Sequence, residues 1–197
     1  IKSEFGFKTL TDFHTPDQAE IVGKVVDVLQ VPAFLCRQTD MIVAGANACK
    51  ANDGILKIKK GQFLSPNDSS NIVEKAKTIL PLEKILLTER GTSFGYNTLI
   101  VDMSGFQTMK SFGVKVIHDA THCVQRPGGL GTSSGGMREA IIPLAKAAIA
   151  AGADGIFMEA HPNPEKALSD AANQMPLSDV KKIVGQLIKL KKCVDEL

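Results

Sequence analysis

Short apolar runs recur along the chain, and each closes on polar or charged residues. They are Phe7–Asp12, Val25–Pro32, Ile55–Lys60, Lys84–Glu89, Val114–Asp119 and Asp154–Glu159. Rich in Val, Ile, Leu or Phe, they read as β-strands. Four stretches among them read as helices. Pro16–Val26 opens with Thr15 as N-cap and Pro16 at the first helical position. Asn67–Leu80 follows Ser65-Pro66 and sets Ile72, Val73, Ala76, Ile79 and Leu80 on one face. Arg138–Ala151 is alanine-rich and stops at Gly152, and Ser178–Leu197 spaces Val180, Ile183, Val184, Leu187 and Leu190 as a helix would.

Strands alternating with helices imply a parallel sheet joined by crossover helices, the α/β class. No Pro/Ser-rich linker or block of like charge divides the chain, so it reads as one domain, 1–197. Two layouts fit. One is an open doubly wound sheet. The other is a (β/α)8 TIM barrel, which typically takes about 250 residues. The 197 residues hold six candidate βα units, so the open sheet suits the length and the barrel requires two further units.

Composition then removes several function classes. Lys and Arg total 23 against 21 Asp and Glu, a net charge of +2 that offers no basic surface for nucleic acid or anionic membrane. One Tyr and no Trp make a base-stacking platform a poor fit. Cys36, Cys49, Cys123 and Cys193 lie far apart with no CxxC pair. That is no disulfide framework, and a reducing, cytoplasmic setting is expected. The most apolar stretch, Ile141–Ala160, contains Lys146 and Asp154 and does not read as a membrane span. The first residues, Ile1-Lys2-Ser3-Glu4-Phe5, hold neither Met nor an apolar signal core, which reads as a fragment of a longer chain.

The chemistry gathers at the C-terminal ends of the candidate strands. These deliver Asp12 and His14; Gln30 and Ala33; Lys57, Lys59 and Lys60; Glu89 and Arg90; His118, Asp119 and His122; and Glu159 and His161. In parallel α/β folds that edge binds ligands, because loops converge there and helix N-termini face it. Strands also end in polar residues simply on reaching solvent, but six such ends carrying Lys, Arg, His and acids favour a site. Lys59, Lys60 and Arg90 suit a phosphate and a carboxylate, Arg as a bidentate fork and Lys as a point charge. Alternation along a strand turns only one of Lys59 and Lys60 inward, with Lys57 on the Lys59 face. For any single Lys, surface solvation is the default.

His122, Glu159 and Asp170 form a second set. One imidazole and two carboxylates suit a divalent Zn, Fe or Mn ion with a position left open, and a plain hydrogen-bonded cluster fits the spacing nearly as well. Cys123 beside His122, like Cys36 and Cys49, reads as an inert small hydrophobe. The run from Arg126 to Gly136 is rich in Gly and Pro, fits neither GxGxxG nor a P-loop, and reads better as a lid over the site than as a passive loop.

Longer phrases carry a resemblance. Pro32-Ala33-Phe34-Leu35-Cys36-Arg37-Gln38-Thr39-Asp40, Lys59-Lys60-Gly61-Gln62-Phe63-Leu64-Ser65-Pro66 and Thr88-Glu89-Arg90-Gly91-Thr92-Ser93-Phe94-Gly95-Tyr96-Asn97 resemble 3-deoxy-D-manno-octulosonate 8-phosphate synthases. These enzymes are also called 2-dehydro-3-deoxyphosphooctonate aldolases. Asp119-Ala120-Thr121-His122, Ser134-Gly135-Gly136-Met137-Arg138-Glu139 and Glu159-Ala160-His161-Pro162-Asn163-Pro164 extend the resemblance over nearly the whole chain. It implies a (β/α)8 barrel with two N-terminal units outside this sequence, and a homotetramer. It implies condensation of phosphoenolpyruvate with arabinose 5-phosphate, feeding lipopolysaccharide synthesis, with no organic cofactor.

The resemblance also implies roles. Lys59 and Arg90 would hold phosphoenolpyruvate, with Lys60 nearby, the backbone at Ala33 on its phosphate, and Asp12 and Gln30 lining the pocket. Arg37 would reach a neighbouring subunit's sugar phosphate. His122, Glu159 and Asp170 would be metal ligands of the metal-dependent branch, which the Asp170-Ala171-Ala172-Asn173-Gln174 phrase resembles more closely. The implied catalytic set is Lys59, Arg90, His122 and Asp170. The chain departs from the family in a longer Gly45–Gly54 segment and in Lys57, where Asn is common. A sibling heptulosonate phosphate synthase using erythrose 4-phosphate, and a non-catalytic barrel fragment, are the competing expectations.

Overall fold

The computed structural model describes residues 2–128 and 135–197. The chain forms two compact units, residues 1–88 with 108–115, and residues 89–107 with 116–197.

In the first unit a single helical turn, α1 (Lys2–Phe5), precedes strand β1 (Leu10–Asp12). Helix α2 (Gln18–Gly23), strand β2 (Val28–Val31), helix α3 (Thr39–Ala51), strand β3 (Ile55–Lys59), helix α4 (Ser70–Lys77) and strand β4 (Ile85–Glu89) follow. β1 pairs with β2, β2 with β3 and β3 with β4, all parallel. The α/β class read from the alternation is therefore present. Leu56, Lys57, Ile58 and Lys59 are buried in succession, so β3 is covered on both faces.

The short α1 was not marked by the sequence reading, and helices α2 and α3 also depart from it. α2 begins at Gln18: Thr15 and Pro16 instead make the turn before it, their carbonyls accepting the N–H groups of Gln18 and Ala19. α3 was not expected. Its sequence, Thr-Asp-Met-Ile-Val-Ala-Gly-Ala-Asn-Ala-Cys-Lys-Ala, mixes small and apolar residues without a clear polar stripe. Gly45 sits within it because a Cβ there would lie 2.8 Å from Leu56 Cδ1 and 2.9 Å from Phe13 Cζ. The helix thus approaches β3 and the residue after β1 too closely for any side chain.

In the second unit β5 (Thr92–Ser93) and β6 (Leu99–Ile100) form an antiparallel pair. Helix α5 (Gly105–Lys110) leads to strand β7 (Lys115–Asp119). β8 (Gln125–Arg126) pairs antiparallel with β9 (Gly135–Gly136). Helix α6 (Ile141–Ala150) then leads to β10 (Gly155–Phe157), parallel to β7 with Ile156 opposite His118 and Phe157 opposite Asp119. β11 (Ala160–His161) pairs with β12 (Met175–Pro176), and the long helix α7 (Leu177–Asp195) closes the chain. Ile141, Ala145 and Ile149 of α6 join Ile183 and Leu187 of α7 around Ala120, Cys123, Val124 and Met175 in one apolar core. No helix of the described residues is long and apolar enough to cross a membrane.

Candidate active site

Register assembles the polar groups of the first unit. β1 sets Asp12 opposite Gln30 of β2, and β2 sets Gln30 opposite Lys57 of β3. Three successive strands therefore present an acid, an amide and an ammonium on one rung. Lys57 Nζ donates to Gln30 Oε1 at 2.6 Å, and Gln30 Nε2 donates to Asp12 Oδ1. Lys57 and Gln30 are buried and Asp12 is half-buried. Burying an ammonium costs several kcal/mol unless it is paired (roughly, by ion transfer), which is why the chain ends on a carboxylate.

Lys59 shares the Lys57 face and is also buried. Lys60 corrects the sequence reading in part. It follows the strand's last residue, yet its side chain is fully buried, with Nζ 3.1 Å from the Leu64 carbonyl oxygen and 3.4 Å from that of Gly61. Three buried lysines within four residues overturn the default of surface solvation. Ala33 opens a 3-10 turn, Ala33–Leu35, directly after β2, and is buried, whereas Arg37 is exposed. His14 is exposed, its backbone N–H donating to Gln18 Oε1.

The second unit carries the denser cluster. Arg90 follows β4 and is 5% exposed. Its Nη2 donates to Gln125 Oε1 at 2.6 Å, while Nη1 is buried and has no partner among the described residues. Burial pulls the guanidinium below its usual pKa, opposed by Asp119, Cys123, Asp170 and Glu89. A guanidinium stays protonated, so a buried fork with a spare donor suits an anion.

His122 lies in a 3-10 turn, His122–Val124, just past β7. Its Nδ1 is 2.8 Å from Oδ2 of fully buried Asp119, and its backbone N–H donates to Asp119 Oδ1 at 2.9 Å. That contact turns the ring so that Nε2 points away from Asp119. Nε2 lies 3.3 Å from Glu159 Oε1. One ligating atom each from His122, Glu159 and Asp170 lie within 4.8 Å of one another. One imidazole nitrogen and two carboxylate oxygens at this spacing are a donor set that a divalent cation takes, so the residues fit the metal that the sequence resemblance implies. Each ligand is also held from behind, as metal ligands are: His122 by Asp119, Glu159 Oε2 by Gln174 Nε2 at 2.7 Å, and Asp170 Oδ1 by Gln125 Nε2 at 2.6 Å.

The sequence reading brought His122, Glu159 and Asp170 together, and the structure does so as well. It did not find Gln125 or Gln174, because a lone glutamine carries no spacing signal. Asp119, three residues before His122, was marked among the strand-end polar residues but given no role. Cys123 is buried, its thiol donating to the Ala120 carbonyl, and desolvation raises its pKa well above the usual thiol range, consistent with an inert role. Residues 129–134 of the expected lid lie outside the described residues, and the flanking residues form the β8–β9 pair.

A family model described as the DAHP synthetase I family matches residues 1–196. Curated proteins named "2-dehydro-3-deoxyphosphooctonate aldolase" are similar over nearly the whole chain. That of Nitratidesulfovibrio vulgaris (strain DP4) is 52% identical over 190 residues, covering 96% of this chain and 68% of that protein. That of Geobacter sp. (strain M21) is 50% identical over 196 residues, covering 100% and 70%, and that of Cyanothece sp. (strain PCC 7425 / ATCC 29141) is 51% identical over 191 residues, covering 97% and 68%.

Proposed function

The chain belongs to the DAHP synthetase I family, and from that premise we propose that it is a 3-deoxy-D-manno-octulosonate 8-phosphate synthase. It condenses phosphoenolpyruvate with D-arabinose 5-phosphate and water, and releases inorganic phosphate, in lipopolysaccharide precursor synthesis. The observation that carries this reading is the buried Arg90 fork, with Nη1 unpartnered among the described residues, tied through Gln125 to the His122, Glu159 and Asp170 trio. An anion grip beside a metal-ready centre is what an enol phosphate and an aldehyde require. The relatives at about half identity carry the name 2-dehydro-3-deoxyphosphooctonate aldolase, which supports this reading.

C3 of phosphoenolpyruvate forms a bond to the aldehyde carbon of the sugar, whose oxygen takes a proton and becomes a hydroxyl. Water adds at C2 and the bond from C2 to the bridging phosphate oxygen breaks, phosphate leaving with the electron pair; the water oxygen becomes the C2 carbonyl, and its two protons go to the sugar oxygen and to phosphate. Arg90 and Lys59, with Lys60, neutralise the phosphate and carboxylate charges of phosphoenolpyruvate, an electrostatic task strengthened by burial. We assign Asp12, Gln30 and the backbone at Ala33 to phosphoenolpyruvate as well, and Arg37 to the sugar phosphate held by a neighbouring subunit. His122, Glu159 and Asp170 would hold a Zn, Fe or Mn ion, which would supply a Lewis acid for an aldehyde oxygen or a water. Asp119 keeps the His122 ring turned with Nε2 towards that centre. The fold we assign is the (β/α)8 barrel, supported by the unbroken parallel βα order of residues 10–89, in a cytoplasmic homotetramer.

The test is phosphate release from phosphoenolpyruvate by the purified full chain with added Mn²⁺, offered arabinose 5-phosphate or erythrose 4-phosphate. Release with the pentose phosphate and not the tetrose phosphate is expected. Faster release with erythrose 4-phosphate reassigns the chain to the sibling heptulosonate synthases, and no release with either marks a non-catalytic fragment.

A further inference from the structure

Gln125 touches both halves of the second unit's site. Its Oε1 accepts from Arg90 Nη2 and its Nε2 donates to Asp170 Oδ1, each at 2.6 Å. A guanidinium only donates and an ionised carboxylate only accepts, so one orientation of the amide satisfies both contacts. The backbone at each end is fixed. Gln125 pairs with Gly136 across β8 and β9. Gly136 in turn lies so close to Asn173 that an added Cβ would fall 1.6 Å from its Oδ1. Asp170 adopts φ +52°, and its carbonyl accepts the N–H groups of Asn173 and Gln174. The turn carrying Asp170 is therefore packed directly on the strand pair carrying Gln125.

We propose that Gln125 is a positioning residue that sets the anion-binding rotamer of Arg90 and the ligating rotamer of Asp170 together. Losing this one neutral side chain weakens both the anion site and the metal site. The inference rests on the reading that Arg90 takes an anion and Asp170 a metal. Gln174 is the built-in control. Its Nε2 holds Glu159 at 2.7 Å, so its loss weakens only the metal site.

Two measurements on the metal-stripped full chain decide it: Zn²⁺ affinity by competition with a chelating dye, and phosphoenolpyruvate affinity by calorimetry. Gln125→Met lowers Zn²⁺ affinity by about tenfold or more, as removal of an outer-shell partner does, and also lowers phosphoenolpyruvate affinity by at least about fivefold, the loss of a charge-assisted hydrogen bond that orients Arg90. Gln174→Met lowers Zn²⁺ affinity alone. Gln125→Met within about twofold of wild type in either affinity overturns the proposal, where a real coupling exceeds that ratio. So does a Gln174→Met variant that loses both. Wild-type protein that takes up neither Zn²⁺ nor phosphoenolpyruvate instead overturns the functional reading itself. Far-UV circular dichroism verifies folding, and Gln125→Leu repeats the test should Gln125→Met not fold.

Discussion

Replacing His118 with Phe separates one buried ionisable group from all the others. His118 lies in β7 with no exposed surface, its ring edge-on to Phe106 at 5.9 Å between centroids. Nε2 is 3.6 Å from Cys123 Sγ, and Nδ1 has no partner among the described residues. Burial lowers its pKa from 6.5 to about 4, against the opposing pull of Asp119. The folded protein therefore keeps the ring neutral in a range where the unfolded chain takes up a proton. Its contribution to stability is present above the unfolded value of 6.5 and is lost as the pH falls towards the folded value of about 4. The whole displacement is worth about 3 kcal/mol, of which about 2 kcal/mol falls between about pH 7.5 and about pH 5. Phe keeps the aromatic contact and cannot protonate. Urea unfolding of both proteins at those two pH values gives the readout. Wild type loses about 2 kcal/mol more than His118→Phe on acidification. Equal losses, within about 0.5 kcal/mol, refute the burial argument.

Gly45→Ala forces a Cβ against Leu56 and Phe13 and costs about 1–3 kcal/mol by overpacking. Urea unfolding reads it, and an unchanged midpoint means that α3 does not approach β3 as closely as described. Arg90→Ala removes the buried fork and lowers kcat/KM for phosphoenolpyruvate by roughly a hundredfold or more, the scale for a preorganised charge donor. Steady-state kinetics that match wild type remove Arg90 from the site.

Strands β1, β2, β3, β4, β7 and β10 lie within the runs that their apolar residues marked, and β3, covered on both faces, shows why such runs are legible. Helices announced by a polar stripe, such as α4 and α7, were legible for the same reason. α3 was not, since Met41, Ile42, Ala46, Ala48 and Cys49 are buried among small residues that leave no clear period. Charged ligands at strand ends, His122 and Glu159, stood out by residue type. What holds them did not. Gln125 reaches Asp170 across 45 positions of sequence, and Gln174 reaches Glu159 across 15. The burial of Lys57 and Lys60 was equally hidden: it depends on a cross-strand rung and on a turn's carbonyls, which appear only once the register is fixed.

A crystal structure of the protein with Mn²⁺ and phosphoenolpyruvate tests the central assignment most directly. The account predicts an anomalous manganese peak bound by His122 Nε2, Glu159 and Asp170, and a phosphoenolpyruvate with anionic oxygens on the Arg90 guanidinium. Manganese bound elsewhere, or phosphoenolpyruvate seated away from Arg90, contradicts it.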